Sequence, residues 1–306
     1  MVSARDIVDD YYRLSDISYK QQQKNIIEKI YAINNNFFDL SAERMYDLLI
    51  DDLKLDKFST MNITLSAMTH LYDFAVIHYP DTVPYNIFKD EHLSRTVMSA
   101  GLTKNLLLIT ENVLEQVLEQ VSENREWIQA ANILFYEGVA SNWSDLLELR
   151  WSDVSTFFWT VKKTPVSRQT TEILKYIHEN PVWYNKKLQT RIPVTRLSED
   201  HLFGYTAMKD GIITGQQKRK NCSMFMRRNL VLCYQGRRLE AQNLYYSGIA
   251  NKIIQKYGRN FLIETMLQTR SLYPVETIIE TFGLNEEAGA LKKNLAPYAY
   301  KIKFQQ

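Results

Sequence analysis

The stretch LFYEGVASNWSDLLELRWSDV, residues 134–154, decides how this chain is read. An apolar helix ends near Gly138, a second helix carries Leu146, Leu147 and Leu149, and Trp151 and Asp153 lead into a strand. Apolar residues three and four apart mark the helical parts, and the four side chains Leu146, Leu147, Leu149 and Trp151 are expected to be buried. In VSTFFWTVKK (154–163) the alternation of Phe157, Trp159 and Val161 predicts a strand, with the aromatics in its core. QTRIPVTRL (189–197) is a weaker strand or turn candidate.

Upstream, Thr110 is placed to cap a helix whose Val113, Leu114, Val117, Leu118 and Val121 share one face, and another helix follows from about Arg125 to Glu137. Near the N-terminus, residues 18–36 carry Ile26, Ile27, Ile30 and Ile33 on one face. Ser41 caps AERMYDLLIDDL, and Ser59 or Thr60 opens a long helix that stops near Pro80. PDTVPYNIFKDEH has two prolines and no helical period, so it reads as the start of a linker. Toward the C-terminus, Pro274 begins a helix with Val275, Ile278, Ile279 and Phe282 on one side and Gly283 at its C′ position, and a last helix runs from Asn285 toward Pro297. The expected fold class is mainly α with a small β-sheet (α+β). It divides into a helical unit over residues 1–82, a linker over 83–107, and a larger mixed unit over 108–306.

Composition agrees with that class. The 306 residues include 10 glycines and 7 prolines against 19 tyrosines, 13 phenylalanines and 5 tryptophans, which favours helices and packed cores over loop-rich β architecture. Three aspartates fall within the first ten residues, and no apolar run approaches the roughly 20 residues of a membrane span, so neither secretion nor a membrane is expected. Cys222 and Cys233 are the only cysteines and lack zinc-type spacing, and the five histidines do not cluster. A cytoplasmic protein without metal or cofactor follows as the expectation, and no nucleotide-binding or serine-hydrolase motif occurs.

The net charge of +2 hides an asymmetry: residues 1–150 carry about −10 and residues 151–306 about +12. The densest part, KRKNCSMFMRRNLVLCYQGRR (218–238), holds Lys218, Arg219, Lys220, Arg227, Arg228, Arg237 and Arg238 with no acidic residue. A solvated face normally mixes signs, so this one points to a polyanion. Lys162, Lys163 and Arg168 beside the first strand, and Lys252, Lys256 and Arg259, complete the candidate phosphate contacts. Lys20 and Lys24 are weaker additions from the first unit.

The layout resembles the tyrosine recombinases, or phage integrases. SDLLELRWSDV is similar to that family's SELLALRWSDI, the helix pair ITENVLEQVLEQVSENREWIQAANILFYEG to the opening of its catalytic domain, HLFG (201–204) to its LFP, and SLYPVETIIETFGLN to its GVPLEVIQELLGHSS. The resemblance implies a helical core-binding domain and a catalytic-like domain clamped around duplex DNA. In the family a tyrosine attacks a DNA phosphate while two arginines, two histidine-like residues and a lysine neutralise charge and move protons.

Carried over by position, that chemistry is missing. The first arginine falls on Asn142, or on Ser141 if the turn slips by one. The His-x-x-Arg motif falls on Gly258 to Phe261 or on Tyr246 to Ile249, and the later histidine on Leu284. The lysine survives as Lys162 or Lys163, and Tyr298 or Tyr300 stands where a nucleophile would. The resemblance therefore implies a non-enzymatic, sequence-specific double-stranded DNA-binding protein, similar to the recombinase-like repressors that maintain lysogeny in SPβ-type prophages and acting in a bacterial host cytoplasm. The alternatives are an active, divergent recombinase using Tyr298, and an architectural protein that binds duplex without sequence preference. The C-terminal APYAYKIKFQQ either docks on a second copy, giving a homo-oligomer, or folds back on its own chain.

Overall fold

Ser3 opens the first helix with a capping box: its hydroxyl accepts from the Asp6 N–H at 3.2 Å, and the Asp6 carboxylate accepts from the Ser3 N–H at 3.0 Å. That helix is α1 (Ala4–Leu14), and α2 (Lys20–Ile33), α3 (Ala42–Asp47), α4 (Phe58–His78) and α5 (Arg95–Asn105) follow it. A computed structural model describes residues 2–15, 20–55, 58–206 and 214–304. Contacts divide the chain into two units, Met1–Leu107 with Tyr300–Gln306, and Leu108–Ala299.

In the first unit Ile27 and Ile30 of α2 are buried, whereas Ile33, expected on the same face, is 42% exposed at the helix end. Ser41 caps α3 by accepting from the Arg44 N–H at 3.3 Å. Helix α4 already includes Phe58, ahead of the expected Ser59 or Thr60 start. The segment expected to be a linker is folded. Val83, Ile87, Phe88 and Leu93, around two short 3₁₀ turns that show no helical period, and Met98 and Leu102 of α5 are buried in one core with Leu49, Met68 and Tyr72. By their contacts residues 83–107 group with the first unit.

The second unit begins with α6 (Glu111–Glu119), capped by Thr110 through the Val113 N–H at 3.4 Å, and α7 (Arg125–Tyr136). Helix α8 (Trp143–Leu147) ends in the quoted motif, whose Leu146 and Leu149 are fully buried and Leu147 nearly so. Trp151 is only half-buried. It stacks flat on His178, centroids 4.7 Å apart and 8° between planes. Residues 149–152 pair with the HLFG segment, through Trp151 N–H to Asp200 O at 2.6 Å and Leu202 N–H to Leu149 O at 3.0 Å. The two most recognisable motifs thus build one piece of structure.

Strands β1 (Val154–Ser155), β2 (Thr160–Val161) and β3 (Thr164–Pro165) form an antiparallel sheet with Val154 opposite Val161 and Val161 opposite Thr164. The expected Phe157–Trp159–Val161 strand is therefore corrected: residues 156–159 turn, and of the three only Val161 is core. After α9 (Arg168–Glu179), a second sheet is built from β4 (Val182–Asn185), β5 (Thr190–Arg196) and β6 (Gly204–Thr206), so the weak QTRIPVTRL candidate is a full strand. Then come α10 (Gly215–Asn229), the hairpin β7 (Cys233–Tyr234) and β8 (Arg237–Arg238), α11 (Ala241–Tyr257), α12 (Arg259–Ile263), α13 (Tyr273–Phe282) and α14 (Ala288–Phe304). Gly283 stops α13 at φ 62° as expected, but Pro297 does not stop α14, which continues through it to Phe304. The tail folds back on its own chain. Residues from Tyr300 group with the first unit, where the Lys301 ammonium donates to the carbonyl of Thr103 at 2.9 Å.

Among the described residues no helix is long and apolar enough to cross a membrane. Helix α11 packs on α7 at Gly248, where an added Cβ would collide with the Tyr136 carbonyl. Backbone cannot yield as a side-chain end can. Gly248→Ala is expected to destabilise the protein by about 3 kcal/mol, the upper end for overpacking, read as a lower urea midpoint at unchanged slope.

Candidate nucleic-acid interface

Helix α10 carries no acidic residue over its whole length. Thr214 caps it through the Gln217 N–H at 3.3 Å. Cys222 and Met226, four apart, are fully buried, and Trp183 of β4 meets Phe225 edge-on at 5.0 Å. With that face inward, helical spacing sends Lys220, Met224, Arg227 and Arg228 outward, and all four are exposed. Lys218 lies nearer the core face and is half-buried.

The next two arginines sit on the β7–β8 hairpin. Its turn residues Gln235 and Gly236 both have positive φ, 50° and 73°, as a tight two-residue hairpin requires. Arg237 and Arg238 are exposed, and the Arg238 guanidinium donates to the Arg227 carbonyl at 2.8 Å, tying the hairpin to the end of α10. Five cations of this helix–hairpin patch, Lys220, Arg227, Arg228, Arg237 and Arg238, therefore face solvent. Arg219 is different, because it pairs with Glu148 of the quoted motif.

The remaining candidates separate. Lys162 and Lys163 form the exposed turn between β2 and β3, Lys162 with φ 57°. Arg168 is exposed at the start of α9 and pairs with Glu172 at 2.9 Å. Lys256 is exposed, its ammonium over the rings of Tyr257 and Phe282 at 5.6 and 5.8 Å. Arg259 is half-buried at the first position of α12.

Lys252 is corrected. Its ammonium donates to the Glu137 carbonyl at 2.7 Å and the Pro165 carbonyl at 3.4 Å, and burial pulls its pKa below the usual lysine range. Its charge serves the C-terminal end of α7, where unpaired carbonyls gather, and not the surface. Burial likewise raises the pKa of Glu137, whose Oε1 accepts from the Ser167 N–H at 2.9 Å. In the first unit Lys24 is exposed over the Tyr12 ring at 5.0 Å, and the Lys20 side chain lies outside the described residues.

The positions that the resemblance matches to a recombinase site are filled by structural contacts. Asn142 caps α8: its Oδ1 accepts from the N–H groups of Ser144 at 2.8 Å and Asp145 at 3.1 Å. Its Nδ2 donates to the Asp145 carboxylate at 2.9 Å, and the neighbouring Ser141 hydroxyl does the same at 2.6 Å. Leu284 is buried and, with Ile249, closes over Gly138, where a Cβ would stand 3.0 Å from Leu284 and 3.6 Å from Ile249. Tyr246 donates to Glu286 at 2.8 Å and accepts from Asn294 at 2.6 Å. The other candidate alignment puts Gly258 at φ 89°, ending α11.

Tyr298 is 3% exposed, and burial raises its phenol above the usual tyrosine range. The resemblance would put guanidinium or imidazole at Asn142, Leu284 and, in one alignment, Tyr246 and Ile249, and these are an amide, hydrocarbon and a phenol. These replacements were visible residue by residue in the sequence. The Tyr246–Glu286–Asn294 network was not, since its members lie 40 and 48 residues apart.

His201 is buried, its Nδ1 2.7 Å from the Ser198 hydroxyl, and burial together with Arg150 lowers its pKa below the ordinary 6.5. A depressed folded pKa means that the unfolded chain takes the proton first. The stability that neutral His201 contributes is therefore complete above pH 6.5 and is lost as pH falls below it through the folded value. His201→Gln should flatten the decline in melting temperature between neutral and mildly acidic buffer. Lys252→Met, which leaves two carbonyls unpaired, is expected to cost about 1–3 kcal/mol in urea denaturation, whereas Lys256→Gln changes stability little. Compared with known proteins, the chain matches no family model, and no curated protein matches it.

Proposed function

We propose that this protein binds duplex DNA through the basic face of α10 and the β7–β8 hairpin, and holds it without cutting it. The observation that carries this reading is the exposure of Lys220, Arg227, Arg228, Arg237 and Arg238 on one helix–hairpin element that itself contains no acidic residue. Released counterions make such a surface bind polyphosphate, and a helix with cations along its outer side fits the grooved backbone of a duplex. Lys162, Lys163 and Lys256 add exposed positive charge in the same unit.

The non-cutting part rests on the filled site. Asn142 supplies an amide where a guanidinium would neutralise phosphate charge, and losing one such donor typically costs about 10²- to 10³-fold in rate. Leu284 and Ile249 supply no proton donor at all. A nucleophile must also reach its target, and the Tyr298 phenol is buried. With the sequence resemblance to recombinase-like repressors, these features support a sequence-specific regulator of transcription, of the kind that keeps a prophage silent.

Two measurements test the reading. Gel-shift titration against operator candidates from the host genome and against random duplex should show a preferred site, and equal affinity for all would sink the repressor idea. The double reversal Arg227→Glu/Arg228→Glu should weaken binding to every duplex alike and lower the slope of log affinity against log salt by about two or more. Unchanged affinity would place the DNA path elsewhere.

A further inference from the structure

The turn joining β1 to β2 turns its rings outward. Phe157 is 83% exposed, Phe158 73% and Trp159 48%, an apolar tip that adds nothing to the core. The two phenylalanine rings stand edge to face, centroids 4.8 Å apart at 88°. Trp159 has φ 51°, the left-handed region where glycine or asparagine is the easy choice and a bulky residue is strained. The turn is nonetheless pinned: the Phe158 N–H donates to the Ser155 hydroxyl at 3.2 Å, and the Val166 N–H to the Trp159 carbonyl at 2.8 Å. Three adjacent exposed aromatics on a braced hairpin are what a surface waiting to be covered looks like.

The charges around the tip say what covers it. From Val154 to Thr171 the only charged side chains are Lys162, Lys163 and Arg168, and all three are exposed. Strand β2 is short, so the lysine turn lies within about 10 Å of the aromatic turn, at a rise near 3.4 Å per residue. Strand β3 runs back from that turn, and Arg168 follows three residues beyond its end, on the side of the tip. Arg168 is paired with Glu172, but the exposed lysines Lys162 and Lys163 beside the rings match phosphates beside bases.

We infer that Phe157 and Phe158 form a wedge that enters duplex DNA at a base step while Lys162 and Lys163 hold the adjoining phosphates. The inference rests on the DNA-binding reading above and adds a second contact to it. Rings at right angles cannot both lie flat on successive bases of a single strand. One inserts and the other braces it, which is how apolar wedges unstack a duplex and bend it. Flexible pyrimidine–purine steps open most easily, so the tip also selects sequence without touching base edges.

The test uses the full chain and two end-labelled duplexes, one of random sequence and one with a central TA step, with affinity from anisotropy and bending from energy transfer between the ends. Phe157→Ala/Phe158→Ala should keep the urea midpoint of the parent, lose affinity roughly ten- to hundredfold, straighten the DNA, and leave the salt slope unchanged because no charge is removed. Lys162→Gln/Lys163→Gln should instead lower the slope. Phe157→Trp/Phe158→Trp should restore both binding and bending. Equal affinity and bending for the alanine variant and a DNA-binding parent would overturn the wedge and leave the DNA reading intact. A parent that binds neither duplex would overturn both. If the alanine variant binds DNA normally but no longer sediments with phosphatidylserine vesicles, or no longer self-associates, the tip belongs to a membrane or to a second copy and the wedge is likewise overturned.

Discussion

The second unit depends on one close approach, the seating of α11 on α7 at Gly248 with no side chain between the helices. From that contact the polar residues of α11 reach the backbone of Ile109, just ahead of α6, and groups at the end of α7. Ser247 accepts from the Ile109 N–H at 3.1 Å, and Asn251 donates to the Ile109 carbonyl and the Tyr136 hydroxyl, both at 2.8 Å. Lys252 takes the Glu137 carbonyl in the next turn. Burying a helix end without partners would cost more than these bonds give, so the seating and the bonds require each other. Gly138, Ile249 and Leu284 meet because of it, and Thr164 joins Gly283 to the first sheet at 2.8 Å.

The residues that the sequence resemblance aligns with a phosphate-transfer site include an amide, Asn142, and hydrocarbon, Leu284. Catalysis of phosphate transfer needs several cations and proton donors accurately placed about one reacting phosphate, which an amide and hydrocarbon do not supply. Binding a polyanion needs only exposed cations on a firm support. Helix α10 meets that demand with one buried side, Cys222 and Met226, and one acid-free outer side. The proposed division of labour follows from how steeply each task depends on position.

Much of this was legible in the chain because it is local. A hydroxyl before a helix and a glycine after one act over three or four residues, and Ser41, Thr110 and Gly283 sit where their spacing places them. The acid-free run from 218 to 238 is likewise plain in the sequence. The misreadings came where two structures share one local pattern. Alternating Phe157, Trp159 and Val161 is as compatible with a turn that throws rings outward as with a strand. PDTVPYNIFKDEH lacks a helical period, yet its Val83, Ile87 and Phe88 fill a core. Pro297 removes one hydrogen bond of α14, which packing on both sides of it outweighs.

By itself the sequence determined the helix limits set by caps and the mainly α class with small sheets, since each depends on residue type and near neighbours. Only the tertiary structure decided which cations remain outside. Lys252 and Arg227 are both basic residues on helices, yet one ammonium is consumed by the carbonyls at the end of α7 while the other charge stays in water. Burial and hydrogen-bond demand arise from chain segments more than a hundred residues apart, as Lys252 and Glu137 are, and no local pattern encodes them. The same reason holds for the aromatic tip, over whose rings no other described residue of the unit is folded closely enough to bury them.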